Sequence, residues 1–142
     1  MNTPDDRRYR ASHEWAQRDG ARARVGISEY AQGELGDVVY VELPAIGAKV
    51  KAGEPLGVIE SVKAVSDLYA PLTGTVVALN QTVVQRAAET DEQTDARLAA
   101  LKRINADPYG DGWLLTIEME NPAEWDGLLS AADYAAQVAR GL

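Results

Sequence analysis

The sequence GVIESVKAVSDLYAP, residues 57–71, decides the fold. Its two ends are rich in β-branched and apolar residues, and they flank the segment Lys63-Ala64-Val65-Ser66. Two strand-like runs that are separated by a short segment of this kind predict a β-hairpin. The pattern therefore places Lys63 at or beside a tight turn.

The sequence on both sides of this hairpin continues the β pattern. Short runs of β-branched and apolar residues are separated by Gly or Pro, which mark the corners between strands. The predicted strands are Arg22–Ile27, Asp37–Leu43, Val50, Leu56–Val62, Leu68–Ala70, Thr75–Leu79 and Trp113–Met119. This arrangement predicts a mainly β (α+β) fold, a compact antiparallel unit in the form of a flattened barrel or sandwich.

Short helices are predicted beside the β unit. Ser28 is a favourable N-cap for a helix that Gly36 ends. A second helix is predicted over Pro122–Leu129, with proline near its first turn. Ser130 is a favourable N-cap for a C-terminal helix over Ala131–Arg140.

A longer helical segment is predicted at about residues 85–105. It is rich in helix formers, and Thr90 with Gln93 predicts a capping box. Its apolar face, at three-residue spacing, consists of Leu98, Leu101 and Ile104. Because no clear domain boundary or low-complexity linker divides the chain, we expect residues 1–142 to form a single domain.

The charge and hydropathy of the chain exclude two classes of protein. The net charge is −8 and the acidic residues are spread along the chain, whereas nucleic-acid binders need clustered Lys and Arg. No apolar run approaches the ~20 residues that span a bilayer, and the N-terminus does not resemble a secretory signal. We therefore expect no nucleic-acid partner, no membrane association and a cytoplasmic location.

The residues available for chemistry are few. The chain has no cysteine and a single histidine, His13. This excludes a thiol nucleophile and metal sites that need cysteines or a histidine pair, and it is a poor basis for a catalytic triad. We therefore predict no metal site and no catalytic residue, and any reactive group has to be supplied from outside.

Lysine is rare in this chain, so a lysine in a hairpin turn is a candidate functional residue. The lysines are Lys49, Lys51, Lys63 and Lys102, and the other basic side chains are arginines. A solvated turn residue is the simpler interpretation of Lys63. However, a primary amine can be acylated, whereas a guanidinium cannot readily be, and a projecting turn is accessible to a modifying enzyme. Position alone leaves both interpretations open.

The residues around Lys63 belong to a longer set of motifs that run in order from about Arg8 to Arg140. The set comprises Ser12-His13-Glu14-Trp15, Val25-Gly26-Ile27-Ser28, Ala31-Gln32, Leu35-Gly36-Asp37-Val38-Val39, Val41-Glu42-Leu43-Pro44, Glu60-Ser61-Val62-Lys63-Ala64-Val65-Ser66-Asp67, Tyr69-Ala70-Pro71, Gly74, Asp107-Pro108-Tyr109-Gly110 and Gly112-Trp113. In this order the motifs resemble those of the H-protein family of the glycine cleavage system.

The resemblance implies a lipoyl/biotinyl-carrier-like fold with lipoate bound through an amide to Lys63. Biotin carriers typically place methionine on both sides of the lysine, whereas Val62 and Ala64 lie there in this chain, which favours lipoate. The resemblance also implies that the lipoate-attaching enzyme recognises Glu60 and Gly74. The simpler interpretations are a solvated strand residue and a turn glycine.

The resemblance further implies a carrier without catalysis of its own, acting in glycine catabolism and one-carbon metabolism. Lipoyl-Lys63 would receive an aminomethyl group from a pyridoxal-phosphate (PLP) glycine decarboxylase and pass it to a folate-dependent aminomethyltransferase. An FAD-dependent dihydrolipoyl dehydrogenase would then reoxidise it. A cleft for the loaded arm is implied at Ser12, Glu14 and Asp67, where a carboxylate could pair with the ammonium of the cargo. A cap and two solvated acids are the simpler interpretations.

The segment at 85–105 departs from the family pattern, in which a short loop is usual. We interpret it as an inserted surface excursion, since loop-closure entropy rises only slowly with length; a partner-specific contact is the alternative. Two other functions stay open from the sequence. One is a lipoyl carrier or relay in another pathway, and the other is an unmodified β module for protein interaction.

Overall fold

Two antiparallel β-sheets and a small set of helices form the computed structural model, which describes residues 2–83 and 91–141. The strands are β1 (Arg8–Tyr9), β2 (Glu14–Asp19), β3 (Arg22–Ile27), β4 (Val38–Glu42), β5 (Lys49–Val50), β6 (Pro55–Ser61), β7 (Val65–Tyr69), β8 (Gly74–Leu79) and β9 (Leu115–Met119). The helices are α1 (Glu29–Leu35), α2 (Asp91–Ala106), α3 (Ala123–Asp126) and α4 (Ala131–Ala139).

The two sheets differ in size. The larger has the strand order β1-β2-β3-β9-β8-β5, and the smaller has the order β4-β6-β7. Neighbouring strands in both sheets are antiparallel. Within the described ranges the sheets do not close into a barrel. The predicted mainly β fold, a flattened barrel-sandwich with short helices, is confirmed.

The main apolar cluster joins both sheets to α2. Its buried members are Ile27, Val38, Ile59, Leu68, Val83, Leu101, Ile104 and Leu114. Removal of this apolar surface from water is the principal driving force that holds the sheets and the helix together.

Trp15 anchors β2 in a separate apolar cluster with Tyr9 and Tyr134. Its side chain is fully buried, and its indole nitrogen donates to the carbonyls of Ile27 (2.9 Å) and Pro108 (3.0 Å). A Cβ on Gly26 would lie 2.5 Å from the Trp15 ring, so a glycine is required opposite this tryptophan. Strand β2, which begins at Glu14 directly after Ser12 and His13, is therefore fixed tightly against β3.

The predicted hairpin around Lys63 is confirmed, with Ile59 opposite Ser66 and Glu60 opposite Val65. Its second strand, β7, begins at Val65 rather than at the predicted Leu68. Because β7 is an edge strand whose first residues are exposed, those positions lack the apolar run on which the prediction depended.

Strand β2 was not predicted from the sequence. Its first residues, Glu14, Trp15 and Ala16, are all buried. Consecutive buried positions abolish the alternation of polar and apolar residues that marks a strand with one buried face.

Helix α2 confirms the apolar face of the predicted helical segment. Leu101 and Ile104 are 2% and 0% exposed, and both belong to the main cluster. The C-terminal half of this segment is therefore part of the core, and its interpretation as a surface excursion is wrong there. The predicted start at about residue 85 and the Thr90–Gln93 capping box lie outside the described residues and side chains.

Both predicted serine caps are confirmed. The Ser28 hydroxyl accepts a hydrogen bond from the Ala31 amide, and the Ser130 hydroxyl accepts one from the Asp133 amide. Helix α3 is shorter than predicted: it is a single turn that ends at Asp126, with Gly127 as its C-cap. No helix in the described part of the chain has the length and apolar character to cross a membrane.

Candidate functional site

The turn that carries Lys63 is held by the side chain and backbone of one serine. The hydroxyl of Ser61 accepts hydrogen bonds from the amides of Lys63 (3.3 Å) and Ala64 (3.1 Å). The Ser61 amide donates to the Ala64 carbonyl at 2.8 Å. The neighbouring Val62 is 71% exposed, so the turn projects into solvent while its backbone is fixed.

The Lys63 side chain lies over the C-terminal end of α1. Gly36, which caps that helix, has φ +77°, and a Cβ built on it would lie 3.4 Å from Cε of Lys63. The adjacent Asp37 carbonyl accepts a hydrogen bond from the Val62 amide at 3.1 Å. The hairpin turn and the end of α1 are therefore held together next to the lysine stem.

Asn105 of α2 stabilises the contact between the hairpin turn and the end of α1. Its side-chain oxygen accepts from the Val38 amide at 3.0 Å. Its side-chain nitrogen donates to the Gly36 carbonyl (2.8 Å) and to Oε1 of Gln32 (3.2 Å). One side chain thus connects α2, the end of α1 and the start of β4.

A cleft of about 350 Å³ lies beside the hairpin. One wall is α1 and the other is the edge of β7, and Ile27 and Ile59 contribute apolar surface between them. Ser12, Glu14 and Asp67, which the sequence analysis singled out, all line this cleft. Its hairpin-side lining begins at Ala64, the residue next to Lys63.

Glu14 places a buried carboxylate in the cleft. Its side chain is only 3% exposed, which is incompatible with the solvated acid of the simpler interpretation. Burial raises the pKa of Glu14, against the opposing effects of the Ser12 hydroxyl, the Tyr69 amide and the Arg10 charge. The Tyr69 amide, on the free edge of β7, donates to Oε2 at 3.1 Å.

Ser12 connects Glu14 to a basic residue. Its hydroxyl donates to Oε1 of Glu14 and accepts a hydrogen bond from the Arg10 guanidinium. The Arg10 guanidinium in turn lies 5.3 Å from the centre of the Tyr69 ring. Ser12 is therefore part of a side-chain network rather than a helix or strand cap.

Asp67 and Glu60 lie on the two strands of the hairpin. Asp67 is exposed on β7, where it lines the cleft. Glu60 is half-buried on β6, where it is paired with Tyr40 of β4 and Val65 of β7. Glu60 is thus close in sequence and in space to the lysine turn.

Gly74 lies at the start of β8, in the other sheet. It is buried, and a Cβ on it would lie 1.9 Å from the carbonyl oxygen of Glu118 and 2.7 Å from Cγ2 of Ile117. Close packing of β8 on β9 therefore requires glycine at this position. The structure does not bring Gly74 together with the residues of the cleft.

Three further cleft residues, His13, Tyr30 and Glu34, were not predicted as part of the site. Tyr30 and Glu34 are one turn apart on α1, so a helical projection of α1 would have placed them on one face. His13 has φ +85°, and burial lowers its pKa against the opposing charge of Glu34. A non-glycine residue with positive φ is uncommon, although histidine is among those that adopt it more often.

The described part of the chain contains no group of three or more His, Asp or Glu residues that could hold a metal ion. The chemistry available in the cleft is instead that of a carboxylate and a hydroxyl beside an accessible amine. Such a set can bind a cation and shield it from water.

Comparison with known proteins agrees with this arrangement. Residues 7–140 match the sequence model of the family described as glycine cleavage H-protein. The chain belongs to the glycine cleavage H-protein family. This family supplies the lipoyl carrier of the glycine cleavage system.

Individual members of the H-protein family match along nearly their whole length. The chain is 51% identical over 135 residues to the glycine cleavage system H protein of Opitutus terrae, with 94% of each chain covered. It is 49% identical over 139 residues to a probable H protein of Natronomonas pharaonis, with 98% of each covered. The crystal structure of a Mycobacterium marinum H protein matches with a TM-score of 0.76 and 39% identity, covering 98% of this chain and 99% of that one.

Proposed function

We propose that this chain carries lipoate in amide linkage on Nζ of Lys63 and shuttles an aminomethyl group between the enzymes of glycine cleavage. The observation that carries the proposal is the position of Lys63, in a projecting, backbone-fixed turn next to a cleft that contains a buried carboxylate. When bound, the lipoyl group supplies a dithiolane that carries the one-carbon unit and accepts electrons.

The cleft fits an arm of this kind in size and chemistry. Its volume of about 350 Å³ is within the usual range of ligand pockets. Leu35, Ile59 and Leu68 provide apolar contacts for a hydrocarbon chain. The Lys63 stem already lies against Gly36 at the end of α1, so an extension of that stem can continue along the α1 wall.

Glu14 is the proposed partner of the cargo ammonium. A carboxylate has about four acceptor positions, and the Ser12 hydroxyl and the Tyr69 amide use two of them. The remaining positions can accept charge-assisted hydrogen bonds from a cation in the cleft. Because Glu14 is desolvated, such a pair is stronger there than at an exposed site.

Ser12 and Asp67 have supporting roles in the proposal. Ser12 orients the Glu14 carboxylate through their hydrogen bond. Asp67, on the exposed rim, adds negative potential on the side through which a cation enters. The cleft would thereby hold the loaded arm and restrict attack by water while the carrier is between enzymes.

Recognition by the lipoate-attaching enzyme is assigned to the hairpin itself. Glu60 lies three residues before Lys63 and is paired with Val65 at the start of β7, so it is beside the turn that the enzyme has to reach. Gly74 contributes indirectly in this account, because it is buried and sets the spacing of β8 on β9.

The proposed partners are a PLP glycine decarboxylase, a folate-dependent aminomethyltransferase, an FAD dihydrolipoyl dehydrogenase and the lipoate-attaching enzyme. The whole chain acts as one carrier domain in the cytoplasm, and the chemical steps occur in the partner active sites. The carrier contributes a high effective concentration of the reactive arm at each docked site.

The test is reconstituted glycine decarboxylation with purified partner enzymes and lipoylated chain. We expect turnover to depend on the chain and to be lost with Lys63→Arg. Lys51→Arg, at another exposed lysine, is the matched control and should retain turnover. A lipoylated chain that supports no decarboxylation would contradict the proposal and favour a lipoyl relay in another pathway.

A further inference from the structure

Tyr134 of the C-terminal helix α4 connects His13, which lines the cleft, with Ser28, the N-cap of α1. Its side chain is fully buried. Its hydroxyl lies 2.6 Å from the Ser28 hydroxyl and 2.8 Å from Nδ1 of His13. Neither Tyr134 nor α4 lines the cleft itself.

The two residues that the Tyr134 hydroxyl joins control the cleft geometry. His13 lies between Ser12 and Glu14, and its φ of +85° sets the direction in which the chain enters β2. Ser28 is the N-cap of α1, the helix that forms one wall of the cleft. The Ser28 amide also donates to the His13 carbonyl at 3.0 Å, so backbone and side chains form one closed junction.

The hydrogen bonds of this junction show which of its groups donate and which accept. The Ser28 oxygen accepts from the Ala31 amide, which leaves its proton free to donate to the Tyr134 oxygen. The Tyr134 proton is then donated to Nδ1 of His13, which is a neutral ring with its own proton on Nε2. If Tyr134 donated to Ser28 instead, the Ser28 hydroxyl proton would need another acceptor. The described residues place none within hydrogen-bond distance of it.

Two further observations support donation from Ser28 to Tyr134 and from Tyr134 to His13. Burial raises the pKa of Tyr134 to about 12, so its hydroxyl keeps its proton at neutral pH. Burial lowers the pKa of His13, which favours the neutral ring that can accept at Nδ1. The Tyr134 ring is itself fixed by stacking on Tyr9, with centroids 4.6 Å apart and planes 6° from parallel.

We propose that Tyr134 is a positioning residue of the carrier, whose hydroxyl fixes the Ser12–Glu14 turn relative to α1 and thereby sets the place of the Glu14 carboxylate in the cleft. This inference rests on the proposed function for its consequence, which is the protection of the loaded arm. Its structural part concerns the chain alone and can be tested without lipoate.

The variant Tyr134→Phe removes the hydroxyl and keeps the ring that stacks on Tyr9. The matched control is Tyr9→Phe, which removes a hydroxyl from the other ring of the same stack; that hydroxyl donates to the Pro4 carbonyl, away from the cleft. Because His13 is the only histidine, ¹⁵N NMR of the unmodified chain reports its ring nitrogens without overlap.

We expect Tyr134→Phe to shift the Nδ1 resonance of His13 and the amide resonances of Glu14 and Ala31, and Tyr9→Phe to leave all three near wild type. After lipoylation and loading, the cargo of Tyr134→Phe should be lost about fivefold faster, the size of one neutral hydrogen bond. Should Tyr134→Phe fail to fold, His13→Asn cuts the same junction with a residue that tolerates positive φ, and the same amide shifts and faster loss are expected.

Wild-type resonances in the folded variant, or shifted resonances with a wild-type rate of cargo loss, would overturn the inference. Failure of the wild-type chain to accept lipoate would instead contradict the proposed function. In that case the NMR comparison on the unmodified chain alone decides whether Tyr134 fixes the junction.

Discussion

Glu14 combines burial with hydrogen bonds that come from uncharged groups. Its side chain is 3% exposed, and its carboxylate accepts from the Ser12 hydroxyl and the Tyr69 amide, whereas the basic Arg10 contacts Ser12. A buried carboxylate without a direct counter-ion is unfavourable unless a cation joins it. At the scale of single residues, this is the feature that suits a cleft for a cationic cargo.

Replacement of Glu14 should therefore shorten the life of the loaded carrier. Glu14→Gln keeps the size of the side chain but removes a charge-assisted hydrogen bond, worth about 1.5–3 kcal/mol, so cargo loss should be roughly 10- to 100-fold faster. Lipoylation of Lys63 should be unaffected. Release of the one-carbon unit from the loaded chain measures this, with exposed Glu54→Gln as the control. An unchanged rate would remove Glu14 from the account.

The same substitution should also change how stability depends on pH. Burial raises the folded-state pKa of Glu14 above its ordinary value of 4.5. At pH values between the unfolded-state pKa and the folded-state pKa, the folded chain therefore binds a proton that the unfolded chain has released. The free energy of unfolding of the wild type should therefore fall, relative to Glu14→Gln, as pH rises through this window. Urea unfolding of the unmodified chains at about pH 4 and about pH 7 measures the difference. A difference that is constant or grows in favour of the wild type would contradict the burial effect.

At the scale of elements, α2 is part of the structural support of the site. Its buried leucine and isoleucine pack in the main cluster, and Asn105 fixes the end of α1 beside the lysine turn. The helix thus contributes to the core and to the position of Lys63.

Two leucines on α2 test this assignment. Leu101→Ala should lower the free energy of unfolding by about 2–5 kcal/mol, because Leu101 is 2% exposed. Leu98→Ala, at a half-buried position of the same helix, is the matched control and should cost clearly less. Chemical denaturation measures both. Equal small effects would show that α2 is a surface excursion after all.

A substitution at Gly74 distinguishes a role in strand packing from direct recognition by the lipoate-attaching enzyme. Gly74→Ala should destabilise the chain by more than ~1 kcal/mol, because its Cβ would overlap the Glu118 carbonyl. The folded fraction should still accept lipoate at the wild-type rate. Gly33→Ala is the control, since a Cβ there meets nothing within 4 Å. Slow lipoylation of a variant with unchanged stability would mean that the attaching enzyme contacts Gly74 directly.

Some of these elements could be predicted from sequence and others could not, for physical reasons. The hairpin around Lys63 and the Ser28 and Ser130 caps follow from local preferences, and they were found. Strand β2 was missed because its buried positions are consecutive. The contact of Tyr134 with His13 joins positions 121 apart, and no local pattern encodes it.

The site shows the same division. The ordered motifs indicated Lys63, Ser12, Glu14 and Asp67, and the last three do line one cleft. Whether a given acid is buried depends on tertiary packing, so the sequence left Glu14 and Asp67 equivalent. The structure separates them, with Glu14 buried and Asp67 exposed.

At the scale of the whole molecule, the chain combines a net charge of −8 with a fixed lysine turn at one end of the smaller sheet. Distributed negative charge favours encounter with basic partner surfaces, and a fixed turn presents the same atoms to each partner. A carrier that visits several enzymes needs both properties. They have this use only if Lys63 is the residue that is modified.

The most direct measurement is therefore intact mass with peptide mapping after incubation with a lipoate ligase, ATP and lipoic acid. Wild type, Lys63→Arg and the control Lys51→Arg should be treated in parallel. We expect one lipoyl adduct on Lys63 in the wild type and in Lys51→Arg, and none in Lys63→Arg. A folded wild-type chain without an adduct, or an adduct that persists in Lys63→Arg, would contradict it.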